Sequence, residues 1–265
     1  MIRVCVAGAT GWTGSAVARA VLDAPDLVLV SAVSRTHAGA DLGAAWGGEP
    51  LGVPVTGTVS EALPGAEVLV DYTSHEAVGA HVSAALDAGV AVVVGSSGLS
   101  TADYAAIDAT ATARGLGVVA AGNFSITAAL AQAAALLVAP HLPYAEVIDY
   151  ASEGKRDAPS GTARELAERL SATDRAQTPP SDGHPEARGA TIGRVQVHSL
   201  RVPSFVVSTE VVFGLPDERL TIRHDAGSSP TPYVAGTLLA IRAVPGRVGL
   251  TRGLDALLLD AIDPR

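Results

Sequence analysis

The sequence predicts an α/β fold in which a Rossmann-like, doubly wound parallel sheet is joined to a second α+β domain built on a mainly antiparallel sheet. Three observations lead to this prediction. In the first half of the chain short β-branched segments alternate with helical patterns, a glycine-rich loop follows the first of these segments, and longer β-prone segments dominate the second half. Parallel strands need crossover helices, whereas antiparallel strands can follow one another through short turns.

The first 125 residues contain alternating strand and helix patterns. The strands are expected at Ile2–Ala7, Leu27–Val33, Val68–Tyr72, Ala91–Gly95 and Gly117–Ala121, and the helices at Thr13–Leu22, Ser74–Ala88 and Ser100–Arg114. Two of these helices carry an N-terminal signal, the capping box. In it a Ser or Thr side chain caps the first turn, and an acidic side chain three positions later accepts from the backbone N–H of the capping residue. The pairs are Thr73 with Glu76 and Ser100 with Asp103.

The pattern changes in the second half of the chain. A strongly apolar helix is expected at Ser125–Val138, and another helical segment at Ala163–Leu170. The polar, proline-rich stretch Thr178–Gly189 is expected to be a mobile loop. The strands of this half are predicted at Glu146–Ala151, Val195–Arg201, Phe205–Phe213 and Leu220–His224.

The end of the chain is predicted to return to the first domain. It consists of a helical stretch, Thr231–Val244, and a tail, Leu250–Leu259. The predicted domains are therefore residues 1–125 together with the return 231–265, and residues 126–230.

Composition and charge exclude two broad classes of protein. The chain has 265 residues, with 18 basic and 27 acidic side chains and a formal net charge of −9. Such an acidic chain is not expected to bind nucleic acid, because phosphates would be repelled. The 48% of hydrophobic residues and the mean hydropathy of +0.32 are sufficient for a packed core, which excludes disorder along the whole chain.

The apolar segments predict a chain that lies in the cytoplasm and contacts no membrane. The N-terminal MIRVCVAGATG reads as a strand and lacks the features of a secretion signal. The longest apolar stretch, Ile126–Ala139, is interrupted by Gln132 and is shorter than the roughly 20 residues that a bilayer needs. Cys5 cannot form an internal disulfide because it is the only cysteine, and a buried, inert thiol is expected. No metal site is predicted.

A glycine-rich loop follows the first predicted strand and opens the first predicted helix. Glycines at such a junction let the backbone turn tightly and approach a pyrophosphate, whose charge the N–H groups of the helix N-terminus stabilise. The alternative is a glycine turn with a structural role only. The candidate dinucleotide-binding residues of this loop are Gly8, Thr10, Gly11, Trp12, Thr13 and Gly14.

Ser34 and Arg35 end the second predicted strand and favour NADPH as the preferred cofactor, with NADH as the second choice. A site for NAD usually has a carboxylate there to accept from the ribose 2′-hydroxyl, whereas a 2′-phosphate needs a cation and a small hydroxyl. The alternative is a solvated arginine in a loop.

Three later loops are predicted to complete the cofactor site, because ligands of an open parallel sheet lie beyond the carboxyl ends of its strands. Each loop is small, polar or glycine-containing, which suits backbone contacts to a nicotinamide and its amide. Ordinary turn chemistry would also produce such loops. The candidate residues are Tyr72, Thr73, Gly95, Ser96, Ser97, Asn123 and Phe124.

A second candidate loop, KRDAPSGTA, leads into the helical segment Ala163–Leu170 and carries Lys155. Ser160 or Thr162 can cap that helix, and the N–H groups of Gly161 and Thr162 then point to its mouth, where a carboxylate is the expected guest. Lys155 is the only lysine beside seventeen arginines. An ammonium can give up a proton, which a guanidinium cannot, so a substrate or catalytic role is predicted for Lys155. The alternative is a chance surface lysine.

Several motifs together resemble the dihydrodipicolinate reductase family over nearly the whole chain. They are VAGATGWTG, DYTSHE, VGSSGLS, GNFS, KRDAPSGTARELAERL and TIRHD. The resemblance implies an NAD(P)H-binding domain, residues 1–125, and a domain for substrate binding and oligomerisation, residues 126–230, whose sheet builds a homotetramer. It also implies reduction of a cyclic dicarboxylate imine in lysine and diaminopimelate biosynthesis. Lys155 and Ser160–Thr162 would bind the substrate, with Lys155 assisting protonation.

The chain departs from this family at two positions. Ala151 and Ser152 stand where the family has a pair of histidines in the pattern E-x-H-H-x-x-K, and Trp12 stands where the glycine loop usually has an arginine. Alanine cannot transfer a proton. We therefore expect Lys155 or water to supply the proton, and three neighbours, Tyr150, Ser152 and Glu153, are the alternatives.

The departures leave two further functions open at this stage. One is reduction of a different imine or carboxylated substrate by the same fold, and the other is NADPH binding without turnover. The sequence does not reveal which of the other basic residues faces the cleft. The residues concerned are His198, Arg201, Arg223 and His224. Strand alternation predicts only that Arg223 and His224 lie on opposite faces.

Overall fold

A seven-stranded parallel sheet forms the centre of the first compact unit, Met1–Phe124 with the segment from Tyr233 onward. The computed structural model describes residues 1–173, 177–180, 182–203 and 207–260. The strands are β1 (Ile2–Ala7), β2 (Leu27–Val33), β3 (Val55–Thr56), β4 (Val68–Asp71), β5 (Ala91–Val94), β6 (Gly117–Ala120) and β12 (Gly249–Arg252). They are ordered β12-β6-β5-β4-β1-β2-β3. The order reverses between β1 and β4, which is where a doubly wound sheet opens its ligand crevice.

Helices connect these strands and complete the doubly wound architecture that the sequence predicts. The buried residues of the central strands, such as Leu69, Val92 and Val118, pack in one core with helical residues such as Val82 and Leu86. The helices are α1 (Trp12–Asp23), α2 (Leu42–Ala45), α3 (Val59–Ala62), α4 (Val78–Asp87), α5 (Thr101–Arg114), α8 (Thr231–Ala243) and α9 (Leu254–Asp260).

One of the two predicted helix caps is confirmed and the other is wrong. Ser100 and Asp103 form the reciprocal capping box at the start of α5. Thr73 does not cap α4, which begins at Val78 without a side-chain cap and not at Ser74. The hydroxyl of Thr73 donates instead to the Asp71 carboxylate at 2.8 Å. The Thr73 hydroxyl therefore binds the buried Asp71 carboxylate at the end of β4 and does not cap the helix.

The second compact unit, Ser125–Pro232, is built on a five-stranded mixed sheet. Its strands are β7 (Tyr144–Ala151), β8 (Ala190–Ile192), β9 (Val195–Arg201), β10 (Val207–Leu215) and β11 (Glu218–Ala226), ordered β11-β10-β7-β9-β8. Only the β7–β9 pair is parallel among these neighbours, so the predicted mainly antiparallel sheet is confirmed. Phe205, where β10 was expected to begin, lies outside the described residues.

The five-stranded sheet is covered on one face by α6 (Ile126–Val138) and α7 (Gly161–Ser171). Val147 and Phe213 belong to this covered face and pack in a core with Leu166 and Leu170 of α7. The predicted loop Thr178–Gly189 contains a short 3₁₀ helix, Pro185–Arg188, and its predicted mobility stays a prediction. None of the helices in the described ranges is long and apolar enough to cross a membrane.

Candidate active site

The glycine loop after β1 is a tight turn whose backbone leaves no room for side chains at two positions. Gly8 has a φ of +82°, and a Cβ atom there would overlap the Tyr72 carbonyl group. A Cβ atom at Gly14 would overlap the carbonyl group of Gly8. The N–H of Gly11 donates to the same Gly8 carbonyl at 2.8 Å, which closes the turn. Only glycine satisfies both constraints, so the loop packs against the end of β4.

Helix α1 begins inside this loop and has Gly11 as its N-cap without a side-chain hydrogen bond. Its first-turn N–H groups, which include those of Thr13 and Gly14, are therefore directed to the loop without a capping side chain. A narrow backbone cradle at the N-terminus of a twelve-residue helix fits the pyrophosphate of a dinucleotide. Trp12 is half-exposed, and its ring makes an edge contact with the Tyr233 ring at a centroid distance of 6.0 Å.

The end of β2 connects to the glycine loop through a pair of hydroxyl groups. The Oγ atoms of Ser34 and Thr10 lie 2.8 Å apart, and Ser34 is buried. The following residue, Arg35, is exposed. This is the position at which a doubly wound sheet contacts the ribose of the adenosine half. The structure thus brings Thr10 and Ser34 together and leaves Arg35, the next residue along the chain, exposed.

A buried carboxylate, Asp71, ties together the loops after β4 and β5. Its Oδ1 atom accepts from the Thr73 hydroxyl at 2.8 Å and from the Ser96 hydroxyl at 2.5 Å. Its Oδ2 atom lies 2.7 Å from Nδ1 of His81 in α4. Burial alone would raise the pKa of Asp71, but the hydrogen bonds from His81, Ser96 and Thr73 outweigh it and hold the pKa below its ordinary value. The carboxylate therefore stays charged and fixes two loops at the crevice.

Tyr72 is a supporting residue of this region. Its hydroxyl lies 2.6 Å from the Thr237 hydroxyl, and burial raises the pKa of Tyr72 well above its ordinary value. A Cβ atom on Gly95 would overlap the Tyr72 ring, so glycine is required where the β5 loop crosses it. Phe124 is buried and packs edge-on against the same ring. The two aromatic side chains therefore pack together in the loops that follow β4 and β6.

The other predicted cofactor residues of these loops lie nearer the surface. Ser97 is exposed and Asn123 is half-buried. Neither Asp71 nor His81 was among the predicted site residues. One signal in the sequence points to Asp71, because it is a single carboxylate at the end of an apolar strand, whereas nothing local connects His81 to it.

The KRDAPSGTA loop of the second unit is anchored at its end by Ser160. Ser160 is the N-cap of α7, and its hydroxyl accepts from the Ala163 N–H at 3.3 Å. The same hydroxyl donates to Oδ1 of Asp149 at 2.6 Å, and the Ser160 N–H donates to Oδ2 at 2.8 Å. Ser160, not Thr162, is therefore the cap, and its hydroxyl is engaged by the protein. Gly161 and Thr162 supply the first N–H groups of the helix.

Lys155 lies in a turn of this loop, and its side chain is 29% exposed. The backbone N–H donates to the Ser152 carbonyl at 3.1 Å, and Nζ lies 2.8 Å from Oδ1 of Asp157. The ammonium is thus held close to the loop by an acidic neighbour and does not extend into bulk solvent. A second carboxylate that approached the loop could share or replace Asp157 as its partner.

The structure separates the alternative proton donors by face. Tyr150 donates to Glu210 at 3.2 Å, and burial together with the Glu210 carboxylate raises its pKa. Since neighbouring residues of a strand point to opposite faces, Tyr150 lies on the face away from Asp149 and the Ser160 anchor. Glu153 is exposed, and Ser152 is half-buried in the same turn as Lys155. Tyr150 is therefore the least suitable of the alternatives.

The four unassigned basic residues have distinct surroundings. His198 pairs with Glu146 at 2.8 Å and Arg223 with Asp225 at 2.9 Å. His224 is directed to α6, where Nε2 lies 3.0 Å from the Thr127 hydroxyl, and burial lowers its pKa. Arg223 stacks over the ring of Tyr150, which lies on the face of the sheet away from Asp149, whereas His224 faces α6. The prediction that Arg223 and His224 lie on opposite faces of their strand is therefore confirmed.

Arg201 contacts the Lys155 loop and was not assigned a role from the sequence.

Comparison with known protein families covers almost the entire chain. The model described as "Dihydrodipicolinate reductase, N-terminus" matches residues 2–124. The model described as "Dihydrodipicolinate reductase, C-terminus" matches residues 123–258. Among the described residues no group of three or more His, Cys, Asp or Glu side chains could hold a metal ion.

Curated relatives with the same family name match over nearly their full length. The 4-hydroxy-tetrahydrodipicolinate reductase of Thermosynechococcus vestitus is 38% identical over 268 residues, which is 97% of each chain. The enzyme of that name from Moorella thermoacetica is 38% identical over 264 residues, covering 97% of this chain and 98% of the relative.

Solved structures agree with the sequence relatives. A dipicolinate-bound dihydrodipicolinate reductase from Paenisporosarcina sp. TG-14 has a TM-score of 0.76 and 27% identity, with 97% of this chain and 99% of that chain covered. An amine dehydrogenase from Mycobacterium smegmatis, at 18% identity and a TM-score of 0.65 over 94% of each chain, shares the fold. The chain therefore belongs to the dihydrodipicolinate reductase family, whose members are nicotinamide-dependent oxidoreductases.

Proposed function

We propose that the chain reduces 4-hydroxy-tetrahydrodipicolinate, a cyclic dicarboxylate imine-type substrate, in lysine and diaminopimelate biosynthesis. One observation carries the proposal: the most specific motif of the family, KRDAPSGTA, is intact and presents an ammonium, Lys155, in the loop that leads to the N-terminus of α7. The full-length relatives named 4-hydroxy-tetrahydrodipicolinate reductase support the same activity.

The cofactor is proposed to bind at the crevice of the first unit. When bound, a reduced nicotinamide supplies the hydride for the reaction. The cradle of Gly8, Gly11 and Gly14 would hold the pyrophosphate, while the loops fixed by Asp71 would contact the nicotinamide half. The full set of proposed cofactor residues is Gly8, Thr10, Gly11, Trp12, Thr13, Gly14, Ser34, Arg35, Tyr72, Thr73, Gly95, Ser96, Ser97, Asn123 and Phe124.

NADPH is proposed as the preferred form of the cofactor, with NADH also used. The support is the exposed Arg35 beside the paired hydroxyls of Thr10 and Ser34, with no carboxylate in the Ser34–His37 segment to accept from a ribose 2′-hydroxyl. A guanidinium is well suited to a 2′-phosphate because it donates several hydrogen bonds in one plane.

The substrate is proposed to bind at the mouth of α7. The Gly161 and Thr162 N–H groups would receive one carboxylate, and Lys155 would contact a carboxylate in competition with Asp157. Ser160 contributes by its position, because its hydroxyl is already bound to Asp149. After hydride addition the substrate-derived enamine takes up a proton, and we assign that proton to the Lys155 ammonium, with water as the alternative source.

The absence of the family's histidine pair supports a second candidate, a different substrate. At the position of the first histidine the Ala151 side chain is fully buried, so neither a histidine nor a substitute donor is available there. A different cyclic imine or carboxylated substrate, with less need for a positioned acid, would suit this loop equally well. A chain that binds NADPH without turnover is the third candidate, although such a protein has no need for KRDAPSGTA.

The test is an assay of the purified chain with NADPH and freshly generated 4-hydroxy-tetrahydrodipicolinate. We expect substrate-dependent oxidation of NADPH well above the rate without enzyme. A background rate with this substrate, together with turnover of another cyclic imine, would reject the first candidate in favour of the second. NADPH binding by fluorescence without turnover of any imine would support the silent binder.

Assembly as a homotetramer in the cytoplasm is the remaining part of the proposal. It is supported by the face of the five-stranded sheet opposite α6 and α7, which carries partly exposed apolar side chains. Tyr144 and Leu200 are about 40% exposed on this open face. A measured mass close to four times 26.6 kDa is expected in sedimentation or light scattering.

A further inference from the structure

Arg201 ends β9 beside the β7 strand end and uses every N–H of its guanidinium within the protein. Nε donates to the Lys155 carbonyl at 3.2 Å. Nη1 donates to the carbonyls of Asp149 at 3.2 Å and Leu200 at 2.9 Å. Nη2 donates to Oδ2 of Asp149 at 2.8 Å and to the Asp157 carbonyl at 2.6 Å. All five donors of the side chain are therefore satisfied.

The carboxylate of Asp149 is the other half of this network. Asp149 is fully buried, and its oxygens accept from the Ser160 hydroxyl and N–H, from the Ser199 hydroxyl at 3.2 Å and from Arg201. A buried carboxylate requires a counter-ion and several donors, and the guanidinium supplies both. The ion pair thus joins the end of β7, the Lys155 loop and the start of α7.

The loop has little other support of its own. Between residues 152 and 159, which the structure describes throughout, one backbone-to-backbone hydrogen bond is formed, from the Lys155 N–H to the Ser152 carbonyl. The carbonyls on either side of Arg156 are both held by Arg201. The path of the loop therefore depends on one side chain from a different strand.

We propose that Arg201, acting with Asp149, is a positioning residue that fixes the Lys155 ammonium relative to the Gly161 and Thr162 N–H groups. This inference rests on the proposed function, because it takes the loop to be a dicarboxylate site. Arg201 does not contact the substrate, since its donors are occupied and its charge is compensated by Asp149. It sets the distance between the Lys155 ammonium and the N–H groups at the start of α7. That distance decides whether one substrate molecule can bind both groups at once through its two carboxylates.

Replacement of Arg201 by lysine tests the proposal at constant charge. An ammonium has three donors on one nitrogen and cannot replace the five hydrogen bonds that the Arg201 guanidinium makes from three nitrogens. For Arg201→Lys we expect the affinity for dipicolinate, a pyridine dicarboxylate, to fall about tenfold or more, while the affinity for NADPH is unchanged. The KM for the substrate should rise more than kcat falls, because Lys155 itself is retained. The matched control is Arg223→Lys, whose partners are on β10 and β11, and it should leave both affinities unchanged.

Hydrogen exchange provides a readout that needs no ligand. In Arg201→Lys we expect faster exchange of the Ser160 amide, which donates to Asp149, with little change in the seven-stranded unit. Should this variant fail to fold, Ser199→Ala removes one donor to Asp149 and should weaken dipicolinate binding by a smaller factor, roughly twofold to fivefold.

Unchanged dipicolinate binding and unchanged hydrogen exchange in the folded variant would overturn the positioning role, and so would an equal loss of affinity for dipicolinate and NADPH. A wild-type chain that binds NADPH but no dipicolinate would instead contradict the proposed substrate site, and the exchange result would still decide whether Arg201 orders the loop.

Discussion

Lys155 and Arg156 are neighbouring cations with different surroundings, and the contrast provides a matched pair of variants. Lys155 is partly buried and paired with Asp157, whereas Arg156 is exposed. For Lys155→Ala we expect a loss of turnover of roughly 10²- to 10⁴-fold, because a positioned acid and a carboxylate contact disappear together. NADPH affinity, measured by fluorescence, should be unchanged. Arg156→Ala is the control and should retain turnover, and equal losses of turnover and NADPH affinity in Lys155→Ala would show a structural role.

Arg35 is the residue that we propose to set the preference for NADPH over NADH. It is exposed just after the end of β2, and the residue before it, Ser34, is paired with Thr10. For Arg35→Ala we expect NADPH affinity to fall about tenfold or more, since a charge-assisted contact to phosphate is lost. NADH affinity serves as the internal control and should change little. An unaltered ratio of the two dissociation constants would refute the contact with the 2′-phosphate.

The residues that the sequence reveals are those whose role depends on local backbone geometry. The glycine loop and the KRDAPSGTA loop fall in this class, because a tight turn followed by a helix leaves a mark in consecutive residues. The pairs Asp71–His81 and Asp149–Arg201 do not, since each joins separate elements and depends on packing or on strand register. A buried carboxylate can be suspected from one sequence, but its partner cannot be chosen among seven histidines and seventeen arginines.

At the scale of secondary-structure elements, the choice of a side chain between a local helix cap and a tertiary hydrogen bond explains why one helix cap was predicted correctly and the other was not. Ser100 and Asp103 satisfy each other at the start of α5, so the local pattern was sufficient. Thr73 precedes an equally suitable acidic residue, but the buried Asp71 carboxylate binds its hydroxyl. The chain then needs four more residues before α4 begins at Val78. Tertiary contacts thus change an element boundary without changing the order of the elements.

Asp71 connects β4, the β5 loop and α4, and its effect on stability should depend on pH. Because the folded pKa of Asp71 lies below its ordinary value, its carboxylate stabilises the folded chain above the unfolded pKa of about 3.9. That contribution is lost as the pH falls through the folded pKa. We expect Asp71→Asn to lower the free energy of unfolding by about 1–3 kcal/mol at neutral pH. The difference from wild type should shrink below a pH of about 4.

Urea unfolding at a series of pH values measures this difference. The matched control is Asp23→Asn at the exposed end of α1, which should leave the free energy of unfolding nearly unchanged at every pH. A destabilisation by Asp71→Asn that stays constant across the acidic range would contradict the assigned role of the charged carboxylate. The wild-type chain should also bind dinucleotide more weakly where Asp71 becomes protonated, because the two loops it holds would separate.

At the scale of the whole molecule, the five-stranded sheet has one face covered by helices and one face, the open face, over which the described residues place no helix. Leu200 and Tyr150 are opposite each other in the β7–β9 register, and Leu200 is 39% exposed. An exposed apolar side chain on the open face of a sheet favours association with another copy of the chain. A glutamate there would place like charges from several copies close together, since Glu146 and Glu210 already lie on this face.

Leu200→Glu should therefore reduce the mass measured by analytical ultracentrifugation below that of the wild-type chain, for which we propose a homotetramer, without loss of the circular-dichroism signal of the folded chain. Leu137→Glu is the control, because Leu137 is 75% exposed on α6 and away from the open face. It should leave the mass unchanged. If Leu200→Glu retains the wild-type mass while Leu137→Glu lowers it, the helical face and not the open sheet forms the interface, and the proposed assembly through the sheet is wrong.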